Sequence, residues 1–292
     1  MEDPKIINGK KIAGDIISEI KSELSVINIK PGLALILVGN NPASEIYVKM
    51  KEKKCRELGY YSIVDRQPSD ITEKKLLELI YYYNNSPEIH GILIQLPLPP
   101  HINENRILES VDYRKDVDGF HPFNTGRLLN GNKCFIPCTP AGIHELIKRH
   151  GIETRGKNLT VIGRSNIVGK PVAMLMLQKN KFSDCTVTVC HSSTVNITEY
   201  TSKADIIIAA IGKANFVKSD MIKEGCVIID VGINRIDDIN SPSGYKIYGD
   251  VDFSDCYPKV SAITPVPGGV GPMTIAMLMK NTLDSAMKRI YD

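Results

Sequence analysis

The chain has 292 residues, of which 42% are hydrophobic and 24% are charged, with 36 Lys and Arg against 33 Asp and Glu. This composition is typical of a globular protein and excludes global disorder. A formal net charge of only +3 gives no electrostatic reason to expect nucleic acid or a membrane as partner, so we predict a small-molecule partner. At about 150 residues per domain, the length predicts two domains.

The cysteines and the N-terminus indicate a cellular location. Seven cysteines are an odd number, and their spacing completes no zinc-binding pattern, which favours free thiols. The first eleven residues are polar, and no stretch approaches 18 uninterrupted apolar residues. We therefore expect a cytoplasmic protein with no membrane association and no bound metal.

The first half of the chain alternates amphipathic helical segments with short apolar runs. Such alternation predicts βα units around a mostly parallel sheet. Asn41 and Pro42 have the residue types of a helix N-cap and first helical position, and Gly59 of a helix end. The sequence predicts helices over 12–24, 43–58 and 71–83, and strands over 33–38 and 91–96.

The second half has the pattern of a dinucleotide-binding fold. Residues 112–140 are rich in glycine and proline with little periodicity, so we interpret them as a functional loop region. A helix is expected over 139–150 with Thr139 as its N-cap, and another over 273–290. Between these helices the sequence predicts strands over 159–162, 187–190, 205–211 and 227–231, and a helix over 171–177.

A strand, a glycine-containing turn and a helix follow one another in LTVIGRSNIVGKP, residues 159–171. Gly163 allows a tight turn, Gly169 allows close helix packing, and the helix N-terminus offers N–H groups to a pyrophosphate. Ser165 stands where the GxGxxG pattern has its second glycine. On spacing alone, a dinucleotide site and an ordinary strand–turn–helix therefore remain equally open.

The end of the next strand indicates which dinucleotide would bind. NAD-binding folds usually carry Asp or Glu there to bind the ribose 2′-hydroxyl, whereas this chain has His191, Ser192, Ser193 and Thr194. Hydroxyl and imidazole groups, together with Arg164, suit a 2′-phosphate and hence NADP. The alternative for Arg164 is a solvated surface arginine.

Tyr47 and Lys51 lie four residues apart on a predicted helix and therefore share one face. Such a pair can polarise a substrate or transfer a proton, and burial would lower the pKa of the lysine enough to make it a base. Lysines also stand at positions 49, 53 and 54. On spacing alone, a solvated basic face is the more common explanation.

Three further features have both a functional and a structural interpretation. Gln95 ends an apolar strand where open α/β sheets bind ligands, although it could be a structural amide. Asp116 and Asp118 lack further ligands for a metal, and an aspartate there could instead bind an aminopyrimidine edge. The segment 264–274 holds three prolines and three glycines, which suit either close approach to a flat ligand or a rigid turn.

Eight segments, in order from about residue 6 to 290, carry a family resemblance: SEIYVKMK (44–51), GILIQLPLP (91–99), KDVDGFHP (115–122), PCTP (137–140), VIGRSNIVGKP (161–171), VTVCHS (187–192), DVGIN (230–234) and TPVPGGVGPMT (264–274). Together they closely resemble the bifunctional methylenetetrahydrofolate dehydrogenase/methenyltetrahydrofolate cyclohydrolase family. The resemblance implies oxidation of 5,10-methylenetetrahydrofolate with NADP+, then hydrolysis to 10-formyltetrahydrofolate, as part of one-carbon metabolism.

The resemblance also implies an α/β fold with two α/β domains. Residues 1–138 form the tetrahydrofolate-binding catalytic domain, completed by a C-terminal helix over 272–292, and residues 139–271 form a Rossmann-like NADP-binding domain. It further implies a homodimer built through the NADP-binding domain. Two alternatives stay open: another NADP-dependent dehydrogenase of similar two-domain fold, and an inactive NADP-binding or scaffold protein.

The resemblance assigns roles to individual residues. Lys51 is implied as the principal catalytic residue, oriented by Gln95, while Tyr47 stacks on the folate and Asp118 holds the pterin edge. The implied substrate-binding set is Tyr47, Lys51, Ile94, Gln95, Leu96, Asp118, Pro267, Gly268, Gly269, Gly271 and Thr274. The implied cofactor-binding set is Gly163, Arg164, Ser165, Ser192 and Ile233.

Overall fold

The computed structural model describes residues 3–238, 241 and 244–292. The chain divides into two compact units. We name the first the three-stranded unit (residues 15–138 and 275–292) and the second the five-stranded unit (residues 1–14 and 139–274). Each contains helices and a parallel sheet.

These limits differ from the expected domain limits at the N-terminus. Residues 1–14 belong to the five-stranded unit because Ile6 forms a parallel bridge with Ile263. The N–H of Ile7 donates to the Ile263 carbonyl at 2.9 Å, and the N–H of Ile263 donates to the Lys5 carbonyl at 2.8 Å. Three helices span the points where the chain passes from one unit to the other: α1 (Gly9–Leu24), α6 (Cys138–His150) and α10 (Val270–Ala286).

The sheet of the three-stranded unit has the order β2-β1-β3, and all pairings are parallel. Every residue of its central strand is buried, which explains the uninterrupted apolar run LALILV. The strands are β1 (Gly32–Val38), β2 (Tyr61–Gln67) and β3 (Gly91–Gln95), and β2 was not predicted.

The helices of this unit are α2 (Pro42–Leu58), α3 (Glu73–Asn85), α4 (Glu104–Ser110) and α5 (Pro122–Leu129). The last of these lies within the region expected to be a loop. The C-terminal helix α10 also packs here, because its Asn281 side chain donates to the Val117 carbonyl at 2.8 Å and its Ser285 hydroxyl donates to the His90 carbonyl at 2.6 Å.

The sheet of the five-stranded unit has the order β10-β7-β6-β4-β5, with all pairings parallel. After β4 the chain continues to β5 on one side and then to β6 on the other. The point between β4 and β6 is therefore the topological switch point, outside which ligands bind in open α/β sheets. The strands are β4 (Asn158–Ile162), β5 (Thr186–Cys190), β6 (Ile206–Ala209), β7 (Val227–Asp230) and β10 (Ala262–Ile263).

An antiparallel hairpin, β8 (Asn234–Asp237) with β9 (Tyr245–Tyr248), follows β7. The remaining short elements are α7 (Gly169–Met176), α8 (Thr198–Thr201), a 3-10 turn (Ser219–Met221) and α9 (Phe253–Cys256). All seven cysteines are free and buried, as the sequence predicts. In the part of the chain that the structure describes, no helix has the length and apolar character needed to cross a bilayer.

Candidate active site and dinucleotide site

Helix α2 places Lys51 inside the three-stranded unit. The helix begins after Asn41, whose side chain accepts from the N–H groups of Ala43 and Ser44. Lys51 is only 8% exposed, whereas the neighbouring lysines at positions 49 and 53 are exposed. Lys51 is therefore not part of a solvated basic face, because its side chain lies in the protein interior.

Gln95 lies at the end of β3 and accepts a hydrogen bond from Lys51, with 3.0 Å between Lys51 Nζ and Gln95 Oε1. Its amide nitrogen donates to the carbonyl of Leu96 at 2.9 Å. This second bond directs the amide oxygen towards the ammonium group. Gln95 is thus a satisfied amide bonded to Lys51 and to the backbone, and Ile94 beside it is buried.

The two aspartates of KDVDG have different environments. Asp116 is buried, and its carboxylate accepts from the N–H groups of Phe120 and His121 and from the Asn124 amide. These bonds fix the local chain, so Asp116 has a structural role. Ile92 forms a parallel bridge with Asp116, and the chain then turns, since the Gly119 N–H donates to the Asp116 carbonyl at 3.1 Å. Asp118, in this turn, interacts electrostatically with Lys51.

Burial and charge oppose each other at Lys51 and Asp118. Burial lowers the pKa of Lys51, while the charge of Asp118 raises it less strongly. Burial likewise raises the pKa of Asp118, against the lowering effect of Lys51. The phenol of Tyr47 is partly buried, which raises its pKa. This corner of the unit therefore favours neutral side chains over charged ones.

Cys138 belongs to this group, and it was not among the candidate residues. Its thiol donates to the Val117 carbonyl at 3.4 Å, and burial together with the charge of nearby Asp118 raises the thiol pKa well above its usual value. The thiol is therefore neutral. The sequence signal for Cys138 was the segment PCTP. Pro137 of this segment packs closely against Gly119, which has φ of +74°, and a Cβ at Gly119 would collide with it.

The turn after β4 requires its two glycines. Gly163 has φ of +130°, and a Cβ there would collide with the carbonyl oxygen of Ala210. A Cβ at Gly169 would collide with the carbonyl oxygen of Gly163. Gly163 therefore allows the end of β4 to approach the end of β6 at the switch point.

The start of α7 differs from the prediction. The Ser165 hydroxyl accepts from the N–H groups of Val168 and Gly169 at 3.2 Å, and its carbonyl accepts from the Lys170 N–H at 3.0 Å. The helix N–H groups expected to meet a pyrophosphate are thus already bonded to Ser165. The exposed turn over 164–167 is what this site offers a ligand instead.

Arg164 and Ser192 lie at adjacent strand ends. Ile162 is paired in register with Cys190, and Arg164 and Ser192, each two residues further along the chain, are both exposed. The His191 N–H donates to the Thr194 hydroxyl at 2.8 Å and the Ser193 N–H to His191 Nδ1 at 3.2 Å, so these two side chains hold the turn. A cation and a hydroxyl, with no carboxylate, fit a 2′-phosphate.

Ile233 and the glycine- and proline-rich segment lie close together within the five-stranded unit. Ile233 is 50% exposed, and a Cβ added at Gly271 would lie 3.9 Å from its Cδ1.

The rest of the glycine- and proline-rich segment is held by other contacts. Gly269 is packed against Pro265, and the Gly268 carbonyl accepts from the Lys10 N–H at 2.9 Å. Thr274 shares a 3.0 Å hydrogen bond with Thr139. Pro267 is exposed, and α10 begins at Val270, earlier than predicted.

The fold and these two groups of residues define a class of protein. A parallel sheet with a glycine turn at its switch point is typical of an α/β protein that binds a dinucleotide. The buried lysine hydrogen-bonded to Gln95 adds a candidate catalytic group in the same chain.

Comparison with known proteins identifies the family. Residues 7–118 match the model of the tetrahydrofolate dehydrogenase/cyclohydrolase catalytic domain, and residues 137–290 match that of the family's NAD(P)-binding domain. The chain belongs to the tetrahydrofolate dehydrogenase/cyclohydrolase family.

Its relatives cover nearly the whole chain. The "Bifunctional protein FolD" of Chlorobium chlorochromatii is 55% identical over 96% of this chain and 97% of its own. The crystal structure of the bifunctional FolD enzyme from Campylobacter jejuni is 49% identical, with a TM-score of 0.91 over 97% of this chain and 99% of that one. The Trypanosoma brucei enzyme, complexed with NADP cofactor and inhibitor, is 34% identical, with a TM-score of 0.92 over 98% of both chains.

These matches confirm the predicted family, the α/β fold class, the two activities and the nicotinamide dinucleotide cofactor. The chain is an oxidoreductase and a hydrolase of folate one-carbon metabolism. They decide against the alternatives of another two-domain dehydrogenase and an inactive scaffold.

Proposed function

We propose that Lys51, oriented by Gln95, is the catalytic residue of this chain and that NADP is its dinucleotide. The observation that carries the proposal is the 3.0 Å hydrogen bond from a buried Lys51 ammonium to Gln95 Oε1 at the end of β3. A primary amine held away from water can be neutral near physiological pH, and only the neutral amine can accept a proton.

The first reaction removes hydride from the methylene bridge of 5,10-methylenetetrahydrofolate and leaves the 5,10-methenyl cation. The oxidised nicotinamide ring accepts that hydride when the cofactor is bound. A permanently charged lysine would repel the cation, whereas an amine whose pKa is lowered by burial can lose its charge. Burial of Lys51 therefore suits the charge that develops on the substrate.

The second reaction adds water to the cation. The water oxygen forms a bond to the methenyl carbon while one of its protons passes to neutral Lys51 Nζ. The remaining hydroxyl proton goes to N5 as the bond from the carbon to N5 breaks, which leaves the formyl group on N10. Lys51 then releases its proton to solvent, so the step consumes one water and yields one proton.

The other residues of the three-stranded unit bind the folate. Asp118 accepts hydrogen bonds from the pterin edge, Tyr47 stacks on the ring system, and Ile94 and Leu96 flank Gln95. The segment with Pro267, Gly268, Gly269, Gly271 and Thr274 belongs to the five-stranded unit. The position of Ile233 near Gly271 supports a nicotinamide end close to this segment.

The dinucleotide contacts are Gly163, Arg164, Ser165, Ser192 and Ile233. Arg164 and Ser192, which follow the ends of the paired strands β4 and β5, bind the 2′-phosphate of NADP through charge-assisted and hydroxyl hydrogen bonds. The cationic side chain and the lack of a carboxylate in the turn 191–194 support NADP over NAD.

The chain forms a homodimer through the five-stranded unit. Among the residues that the structure describes, β5 is an edge strand, paired on one side with β4, and exposed apolar side chains lie on it and after it: Val189, Val195 (77% exposed) and Tyr200. An unpaired strand with apolar neighbours supports association with a second copy. The free thiols support a cytoplasmic location for the dimer.

Light scattering after gel filtration tests the dimer. Val195→Asp places a charge in the proposed interface and should shift the mass from dimer to monomer. Val26→Asp, at an 82% exposed position in the three-stranded unit, should leave the dimer unchanged. A wild-type monomer, or dimers of both variants, would contradict the proposed interface.

One spectrophotometric experiment tests the proposed function. Purified protein is supplied with 5,10-methylenetetrahydrofolate and either NADP+ or NAD+, and the absorbance of reduced cofactor and then of the methenyl compound is followed. We expect reduction with a preference for NADP+, followed by methenyl loss faster than in buffer alone. Equal use of both cofactors would contradict the proposed preference for NADP. Methenyl loss at the buffer rate would contradict the proposed hydrolysis.

A further inference from the structure

Two buried aspartates of the five-stranded unit have no role in the chemistry above. Asp230 ends β7 and Asp250 follows β9; Asp250 is 0% exposed. A buried carboxylate is costly unless hydrogen bonds satisfy it, and both carboxylates accept several bonds from separate parts of the chain.

Asp250 joins the segment after β6 to the segment after β7. Its Oδ2 accepts from the N–H groups of Ile211 at 2.7 Å and Gly212 at 2.9 Å. Its Oδ1 accepts from the Lys213 N–H at 3.0 Å and from the Asn234 side-chain amide at 2.8 Å. The Asp250 carboxylate therefore fixes three consecutive N–H groups, at residues 211–213, and also the side chain of Asn234, which lies in a different segment of the chain.

Asp230 in turn fixes the backbone around Asp250. Its Oδ1 accepts from the N–H groups of Gly232 and Asp250, each at 2.9 Å, and its Oδ2 accepts from the Val251 N–H at 3.0 Å. A Cβ at Gly232 would collide with the Asp250 carboxylate. The two aspartates form one connected, closely packed group.

This group lies at the carboxyl ends of β6 and β7, across the switch point from Arg164 and Ser192. Residues 211–213 follow β6 and residues 232–234 follow β7, and these two strands are neighbours in the sheet. Ile233, the exposed residue proposed to meet the nicotinamide end, stands between Gly232, which is bonded to Asp230, and Asn234, which is bonded to Asp250. Both sides of Ile233 are held by the aspartate group.

We propose that Asp250 is a positioning residue for the nicotinamide half of the dinucleotide, because it holds the loop 211–213 and the segment around Ile233 in one arrangement. The inference rests on the proposed function of Ile233. Asp250 itself is buried and touches no ligand, so its effect is transmitted through the two segments. The adenosine half, over β4 and β5, does not depend on it.

The variant Asp250→Asn tests this role. The amide has the same shape as the carboxylate, but its NH2 group replaces an oxygen that accepted hydrogen bonds and therefore faces N–H groups. Those bonds are lost, and the loop 211–213 and the segment around Ile233 lose their fixed arrangement. Calorimetry would measure the affinity for NADP+ and for 2′,5′-ADP, which carries only the adenosine half. We expect the dissociation constant of NADP+ to rise at least tenfold and that of 2′,5′-ADP to change less than twofold.

Asp255→Asn is the matched control. Asp255 is exposed in the same unit and also accepts two hydrogen bonds from a distant residue, from the Ser219 N–H at 2.7 Å and hydroxyl at 2.8 Å. It lies away from the two segments, so both dissociation constants should change less than twofold.

Two results overturn the inference: an unchanged NADP+ affinity in folded Asp250→Asn, or equal weakening of both ligands, which would indicate general damage. If circular dichroism shows that Asp250→Asn does not fold, Asn234→Ala decides, because it leaves the carboxylate in place and removes one bond to Asp250 and a longer one to the Tyr248 carbonyl. That variant should weaken NADP+ about threefold and spare 2′,5′-ADP, and an unchanged NADP+ affinity would overturn the inference. A wild type that binds no NADP+ would instead overturn the proposed function itself.

Discussion

The two units form their candidate sites by different means. In the three-stranded unit the site consists of side chains, with Lys51 and Gln95 brought together from α2 and β3 and Lys51 buried. In the five-stranded unit the site consists mainly of backbone, with a glycine turn at the switch point and loops fixed by buried carboxylates. Substitutions of side chains should therefore damage the first site most, and added side-chain atoms the second.

The largest effect is expected from Lys51→Met, which keeps the apolar stem and removes the base. Loss of a general base typically costs about 10²- to 10⁴-fold in rate, so enzyme-dependent methenyl loss should nearly disappear while NADP+ affinity is unchanged. Lys49→Met, on the exposed face of the same helix, is the control and should keep wild-type activity. Undiminished hydrolysis by Lys51→Met would exclude Lys51 as the base.

Gly163→Ala tests the backbone-built site. A side chain at φ of +130°, directed at the Ala210 carbonyl, should cost about 2 to 3 kcal/mol in the free energy of unfolding and weaken NADP+ binding. Urea denaturation and calorimetry would measure the two effects. Gly156→Ala is the control, because Gly156 has φ of +70° but open space around it, so its cost should be smaller, about 1 kcal/mol. Equal costs would show that the approach to Ala210 is unimportant.

A smaller and more selective effect is expected from Arg164→Ala. Removing one charged hydrogen bond to the 2′-phosphate should raise KM for NADP+ about tenfold, since such bonds contribute about 1.5 to 3 kcal/mol. The KM for NAD+, which lacks that phosphate, should barely move. Lys170→Ala removes a nearby cation whose side chain donates to Asn166, and it should affect neither. Similar increases for both cofactors would assign Arg164 to general positioning.

The sequence predicted elements whose signals are local. The continuous apolar run of β1 and the Asn41–Pro42 start of α2 identified those elements because burial on both faces and helix capping leave clear residue patterns. Strand β2 was missed because its residues are mostly half-buried and polar, so neither a run nor an alternation is visible. Helix α5 was missed because its N-cap is His121, an uncommon capping residue, in a segment rich in glycine and proline.

The same distinction holds for the sites. Lys51, Gln95 and Gly163 could be proposed from their positions beside strands and helix starts. Other features depend on tertiary structure and left no local signal. These are the difference in burial between Lys51 and Lys49, the position of the Cys138 thiol near Asp118, and the bonds of Asp250 to residues 37 to 39 positions away. One local clue was available in the sequence. Asp230 ends the apolar run VIID, and a carboxylate in such a position requires hydrogen-bond partners.

The dependence of cyclohydrolase activity on pH tests the central claim, that burial makes Lys51 a neutral base. Burial lowers the pKa of Lys51 from 10.5, and only the unprotonated amine is active, so the rate should fall as pH is lowered through that pKa. We would measure enzyme-dependent methenyl loss between pH 6 and 10, with the buffer rate subtracted at each pH. We expect a rising limb that levels off clearly below pH 10.5 and is absent in Lys51→Met. A rate independent of pH, or the same limb in Lys51→Met, would contradict it.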